Sequence, residues 1–279
     1  MTRTRVGTVQ TSLSYGVLVA LAFLVLFPFY WMTVTSFKSE EQMRSLVSMF
    51  WPRPLVGENY GQLVAKTDFL KWYGNSATVA ISSTLLATAV GTVGAYALAR
   101  LRFLGRGFMA SATLITYLVP PSILFIPLYA QMRSLGLANS LGGLIAAYPS
   151  FTVPFVTWLL MGYFESIPEE LEEAAMIDGA TRFGAFYKIV LPLSAPGVLA
   201  AGLYAFTQAW NEFLYALVFI TDGKLRTLPV GLASFITGDV YGWGYLMAGA
   251  VLTTLPVIAA YIYLQKYMVE GLTAGSVKG

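Results

Sequence analysis

The sequence predicts an all-α, polytopic membrane protein with six transmembrane helices, and three observations predict it. Charged residues are only 11% of the 279, against 57% hydrophobic, where a soluble domain carries about 25% charged residues. The apolar residues gather into six stretches, each long enough to cross a ~30 Å hydrocarbon core at about 1.5 Å per residue. Nearly all charges fall in the polar connections between these stretches. The mean hydropathy of +0.66 agrees. A net charge of +3 makes no case for a nucleic-acid partner. Cysteine and histidine are both absent, which removes disulfides, thiolate chemistry, the common zinc sites and histidine acid–base catalysis.

In chain order, residues 1–11 are polar and basic, with Arg3 and Arg5. Residues 12–37 form the first apolar stretch. A secretory apolar region runs about 7–15 residues; this one is longer and lacks a small-x-small cleavage site, so it reads as a retained span. Residues 38–72 are a mixed-charge loop punctuated by Pro52, Pro54 and Gly57. The second span, 73–99, carries Ala87, Gly91, Ala95 and Ala99 at four-residue spacing. Such a stripe lets helix backbones approach closely; the alternative is a small-residue helix with no packing role for its stripe. Arg100, Arg102 and Arg106 then crowd a very short connection. Short arginine-rich loops stay in the cytoplasm, which places the N- and C-termini there as well.

The third span, 107–132, contains Pro120, Pro121 and Pro127. Each proline removes a ladder hydrogen bond, and in lipid the freed group must find another partner. The pair predicts a break near mid-membrane, facing protein or a wet cavity, or else a kink without function. Residues 133–139 are a short external turn, and 141–163 the fourth span, with Pro149 and Pro154. The fifth and sixth spans are 192–220 and 243–267. Between them lies an external loop, 221–242, with Asp222, Lys224, Arg226 and Asp239. Trp51, Trp72, Tyr73, Trp243 and Tyr245 sit at span edges and read as an interfacial aromatic belt. Neither an internal repeat nor a low-complexity tract is visible.

Residues 164–191 interrupt the apolar pattern with Glu165, Glu169, Glu170, Glu172, Glu173 and Asp178. The segment predicts a short helix over 168–178. Pro168 suits a first helical position, Glu169 and Glu170 suit the positive end of the helix dipole, and Ser166 with Glu169 fits a capping box, the alternative being that Pro168 shifts the cap to Ile167. Gly179 supplies the left-handed turn that ends it. Leu171, Ala174, Ala175 and Asp178 make a small-residue face beside an acidic one. A short two-faced helix between spans has no lipid to bury in, so it should dock on another protein.

Glu173-Ala174-Ala175, then three residues, Gly179, nine residues, and Ile189, Leu191 and Pro192 match the cytoplasmic EAA loop at every fixed position. On those residues the chain resembles the membrane subunits of bacterial ABC importers. The cluster Trp210-Asn211-Glu212-Phe213 and the ending EGLTAGSVKG at 270–279 are similar to the MalG-like permeases of sugar importers. The resemblance covers essentially the whole chain. It implies a type I ABC importer permease fold, one permease domain over 1–279, multi-pass in the bacterial inner membrane and in contact with its lipid. It implies three partners: a second, MalF-like permease, a dimeric ABC ATPase and an extracytoplasmic solute-binding protein facing the external loops. It also implies that Glu173, Ala174, Ala175, Asp178 and Gly179 couple the spans to that ATPase.

No segment reads GxxxxGK[ST], so ATP and Mg would be bound by the partner ATPase, with no cofactor or metal on this chain. In the fifth span Tyr204, Gln208, Asn211 and Tyr215 recur at spacings of four, three and four, which puts them on one helical face. Beside them is Glu212, the only acidic residue within a span, and an ionisable group in a membrane is a functional-site hypothesis by default. These five form a candidate translocation pathway able to bond sugar hydroxyls; the alternatives are packing against the partner permease or snorkelling of Glu212. A self-contained secondary transporter or channel is the competing function. It needs a coupling-ion site, for which only Glu212 offers itself, and it lacks the inverted repeats that build one. An intramembrane enzyme lacks clustered carboxylates, His and Cys.

Overall fold

The computed structural model describes residues 2–45, 50–237 and 240–276, with side chains at 14–45, 50–236 and 242–267. The side chains of Arg3 and Arg5, Asp239, and the side chains of the ending at 270–279 lie outside what is described. The helices, in order, are α1 (Thr2–Ser36), α2 (Glu40–Arg44), α3 (Glu58–Lys66), α4 (Phe69–Arg100), α5 (Arg106–Leu118), α6 (Pro121–Ser134), α7 (Leu141–Ala147) and α8 (Pro149–Ser166). They continue with α9 (Glu170–Ile177), α10 (Arg182–Ala185), a π-turn (Phe186–Val190), α11 (Leu191–Leu193), α12 (Ala195–Asn211), α13 (Leu214–Phe219), α14 (Leu228–Ala233) and α15 (Trp243–Ser276). Strands β1 (Ile236–Thr237) and β2 (Val240–Tyr241) pair antiparallel, Ile236 opposite Tyr241.

Among the described residues, four helical stretches are long and apolar enough to cross a membrane: Ser14–Ser36, Phe69–Arg100, Leu141–Ser166 and Trp243–Tyr267. Two more are bent pairs. Arg106–Leu118 and Pro121–Ser134 meet at 99°, where the double proline predicts a break, and Arg182–Leu193 and Ala195–Asn211 meet at 76°. The second pair departs from the single span read over 192–220. Pro192 and Pro196 lack the N–H groups that would carry one ladder through Ser194, and the chain breaks again at Glu212, which is extended at φ −66°, ψ 129°.

The chain forms two compact units. One comprises residues 70–231 and 256–279. Its hub is α8, packed against α5 and α12. Val156, Leu160 and Phe164 are wholly buried there with Ala87, Ala95, Ala201 and Ala205. The small-residue stripe of α4 is therefore a packing face. A Cβ on Gly91 would stand 2.5 Å from Val156 Cγ1, so only glycine admits this approach. In lipid such close packing, rather than transfer from water, holds helices together. Trp72 departs from the belt reading: it is buried, and its indole Nε1 donates to the Gly223 carbonyl at 3.1 Å. Nearby, Asn75 Nδ2 donates to the Lys224 and Arg226 carbonyls, and Ser76 Oγ accepts from Leu228 N. These side chains satisfy the backbone of the loop that begins at Thr221.

The other unit comprises residues 1–69 and 232–255. Its core holds Val34, Leu63, Phe69 and Ala248. Ser39 and Gln42 close a capping box on α2, a signal visible in the loop sequence. Asn59 Nδ2 donates to the Ser36 and Lys38 carbonyls at 2.9 and 2.8 Å. Lys38 lies 4.3 Å over the Trp31 ring, and burial pushes its amine below the usual lysine range. An open cleft of about 500 Å³ lies between the first loop and the start of α15, with Glu40, Glu58, Gln62 and Trp243 among its walls.

Candidate functional site

The acidic segment begins where α8 ends. Ser166 does not cap the next helix: its Oγ donates back to the Tyr163 carbonyl at 2.7 Å, and Ile167 terminates α8. Glu169 stands at the N-cap of α9 without a side-chain cap bond. The expected capping box is thus replaced by the C-terminal turn of the preceding helix. Glu170, Glu172 and Glu173 occupy the first turn of α9, where the dipole favours them. At the far end Gly179 takes φ +90°, and the Asp178, Gly179 and Ala180 amides bond back to Ala174, Met176 and Ala175. Thr181 then caps α10 by accepting from Gly184 N at 3.1 Å.

The two sides of α9 differ sharply. Glu173, Ala174, Asp178 and Gly179 are exposed, and Ala175 half-buried. Ile177 is 86% exposed, and nearby Phe183 and Tyr187 are 74% and 64% exposed. Glu172, in contrast, is buried. Its Oε1 accepts from Arg100 Nε at 2.6 Å and its Oε2 from Tyr96 OH at 2.9 Å. Arg100 Nη2 also donates to the Ile167 carbonyl at 2.5 Å, and Nη1 lies 3.6 Å from Glu169. Arg106 Nε and Nη2 cap α4 by donating to the Leu98 and Ala99 carbonyls. A cleft of about 800 Å³ beside this cluster is walled by Arg102, Glu169, Glu173, Met176 and Arg182, among others.

Tyr96, Arg100 and Glu172 are the residues that sequence reading missed as partners. Tyr96 and Arg100 are four apart and share a face of α4, which is the signal that would have paired them with an acid.

The second candidate region changes more. Because α12 stops at Asn211, Tyr215 does not share the helical face expected for it with Tyr204, Gln208 and Asn211. Gln208 and Asn211 are exposed and Tyr204 half-buried on α12. Gln208 Nε2 donates to Tyr204 OH at 3.1 Å, and the Tyr204 and Phe155 rings lie 3.9 Å apart. Glu212 and Tyr215 turn into the chain instead. Glu212 accepts from Tyr148 OH at 2.8 Å and from the Tyr215 and Ala216 amides at 2.7 and 3.0 Å. It therefore caps α13. Tyr215 is buried and donates to the Pro121 carbonyl at 3.0 Å, joining α13 to the broken third span. Among the described residues no cluster of three His, Cys, Asp or Glu could hold a metal ion.

Comparison with known proteins places this geometry. Residues 87–273 match the family model described as the binding-protein-dependent transport system inner membrane component. The chain is 40% identical over 254 residues to the sulfoquinovosyl glycerol transport system permease protein SmoH of Agrobacterium fabrum, covering 91% of this chain and 89% of that one. It is 37% identical over 270 residues to the trehalose/maltose transport system permease protein MalG of Thermococcus litoralis, covering 94% of each. Its fold matches a solved bacterial ABC transporter involved in alginate import, with a TM-score of 0.79 at 24% identity over 96% of this chain and 98% of that one. A matching family model over most of the chain, near-full-length relatives, the permease fold and the intact EAA loop lead to one conclusion: the chain belongs to the inner-membrane permease components of binding-protein-dependent ABC transport systems.

Proposed function

We propose that this chain is the permease subunit of an ATP-driven, solute-binding-protein-dependent importer of a carbohydrate. It forms half of the translocation pathway and couples to a separate ATPase through residues 164–191. The observation that carries this reading is the exposed side of α9, where Glu173, Ala174 and Asp178 stand out beside Ile177 while Glu172 holds the opposite side against α4. Small side chains at Ala174 and Ala175 permit close approach, and Glu173 offers a carboxylate to a basic or amide group. ATP and Mg are held by the ATPase, and both termini and α9 lie in the cytoplasm with it. The carbohydrate class is supported by the trehalose/maltose and sulfoquinovosyl glycerol systems of the relatives. A second, MalF-like permease supplies the other half of the pathway. The solute-binding protein docks on the external loops, where the cleft near Glu58 and Trp243 lies.

Within the pathway, Tyr204, Gln208 and Asn211 are available to a passing solute, and Glu212 and Tyr215 position the break beside them. ATP closes the ATPase dimer, α9 is carried with it, and the spans change their opening; the shift requires that ATP bind one state better than the other. Two measurements test the reading. An ATPase subunit should copurify with the chain from its native membrane; its absence would favour a self-contained transporter. In a Gly179→Trp variant, the left-handed residue becomes strained. Uptake should fall at least about tenfold while ATP hydrolysis persists; equal retention of both would refute the coupling role.

A further inference from the structure

We propose that Arg100 and Glu172, with Tyr96, are positioning residues that lock α9 to the end of α4 so that the two move as one body. The proposal rests on the reading of α9 as the coupling helix, and goes beyond it by naming which span receives the motion and through which atoms. Arg100 is the last residue of α4 and Tyr96 lies one turn earlier, and between them they engage both carboxylate oxygens of Glu172, at 2.6 and 2.9 Å. The same guanidinium holds the Ile167 carbonyl, the last turn of α8, at 2.5 Å. One side chain thus ties three helix ends together. The side chains of Arg100 and Glu172 are only 5% and 8% exposed.

A pair so little exposed makes few water contacts, although both residues border the cleft of about 800 Å³, and opening it would strand a buried charge. Apolar packing can replace a buried pair without loss of stability, but it slides. A guanidinium engaging two separate acceptors fixes direction as well as distance. The mount itself is stiff, because Arg106 caps α4 by bonding the Leu98 and Ala99 carbonyls. The exposed side of α9 stays available for a partner, and the buried side carries the displacement into the span whose small-residue stripe lies against α8.

The chain contains no cysteine, so two introduced cysteines are its only label sites, and a singly substituted control subtracts any label on the other subunits. Glu170→Cys on α9 and Leu104→Cys after α4 are both exposed positions, and neither belongs to the residues placed against the ATPase. Pulsed electron–electron distance measurements on the purified importer in nanodiscs, with and without ATP and vanadate, read the link directly. We expect one narrow distance, the same in both nucleotide states. In Glu172→Gln, and in the apolar pair Arg100→Met with Glu172→Leu chosen to preserve folding, the distribution should widen about twofold or shift between states. Glu172→Asp should retain the narrow distance. A parent distance that changes with nucleotide, or variants whose distributions match the parent, would overturn the proposal. If no ATPase copurifies, the coupling reading fails separately, and the nucleotide-free comparison of parent and variants still decides whether the link exists.

Discussion

Glu172 and Glu212 are both drawn into the protein, and each sits where three helix ends converge. Glu172 joins α9 to α4 and the end of α8, and its charge is met by the Arg100 guanidinium. Glu212 joins the end of α12 to α13 and the α7–α8 junction, and its charge is met by neutral donors, among them the Tyr148 hydroxyl and the Tyr215 and Ala216 amides at the start of α13. The first arrangement leaves a permanent cation stranded if the acid is lost. The second spreads the charge over a helix terminus and a phenol, as an N-terminal cap does. The difference teaches that a carboxylate in a membrane protein need not bind a solute to be explained. One serves as half of an ion pair where three helix ends meet, the other as a cap at a break in a span.

The comparison can be broken or sharpened by substitution, largest effect first. Arg100→Ala should destabilise the purified protein by about 3–5 kcal/mol in chemical denaturation in detergent, because the Glu172 carboxylate is left buried and unpaired. Glu212→Ala should cost less, about 2 kcal/mol, the loss of a charged cap from α13. Glu212→Gln should keep most of that stability, while Glu172→Gln should not; equal costs for the two amides would remove the distinction. Glu165→Gln breaks a pair with Arg106 that is 3.9 Å long and has side chains 36% and 51% exposed. Its effect should stay below about 0.5 kcal/mol and vanish in high salt. A larger effect would place that pair inside the joint as well.

Much of the architecture was legible because it depends on local chemistry. Runs of apolar residues mark the spans, Pro120 and Pro121 mark the 99° break, and Gly179 marks a turn that a side chain would strain. The stripe Ala87, Gly91, Ala95 and Ala99 announced a close helix contact without naming its partner, α8. The break at Glu212 was not legible. Nothing between Phe206 and Phe219 is a Pro or Gly, so the periodicity runs through Glu212 unaltered, and only the acceptance of two amides by its side chain shows why the helix stops there. Trp72 read as an interfacial aromatic because it sits at a span edge; the Gly223 carbonyl that receives its indole N–H is 151 residues away in sequence. Ser166 and Glu169 fit a capping box by spacing, yet the end of α8 claimed Ser166 first.

The sequence alone determined that the chain crosses a membrane, roughly where its apolar spans lie, and that a small acidic helix with an EAA signature stands between two of them, because hydropathy, proline, glycine and motif spacing act over a few residues. Only the tertiary structure decided which charges are spent inside. Arg100 is written as one of three arginines in a short loop, and Glu172 as one of six acids in another. Which arginine meets which acid depends on how α4, α8 and α9 converge, a matter of packing across 72 residues of sequence that no local pattern encodes.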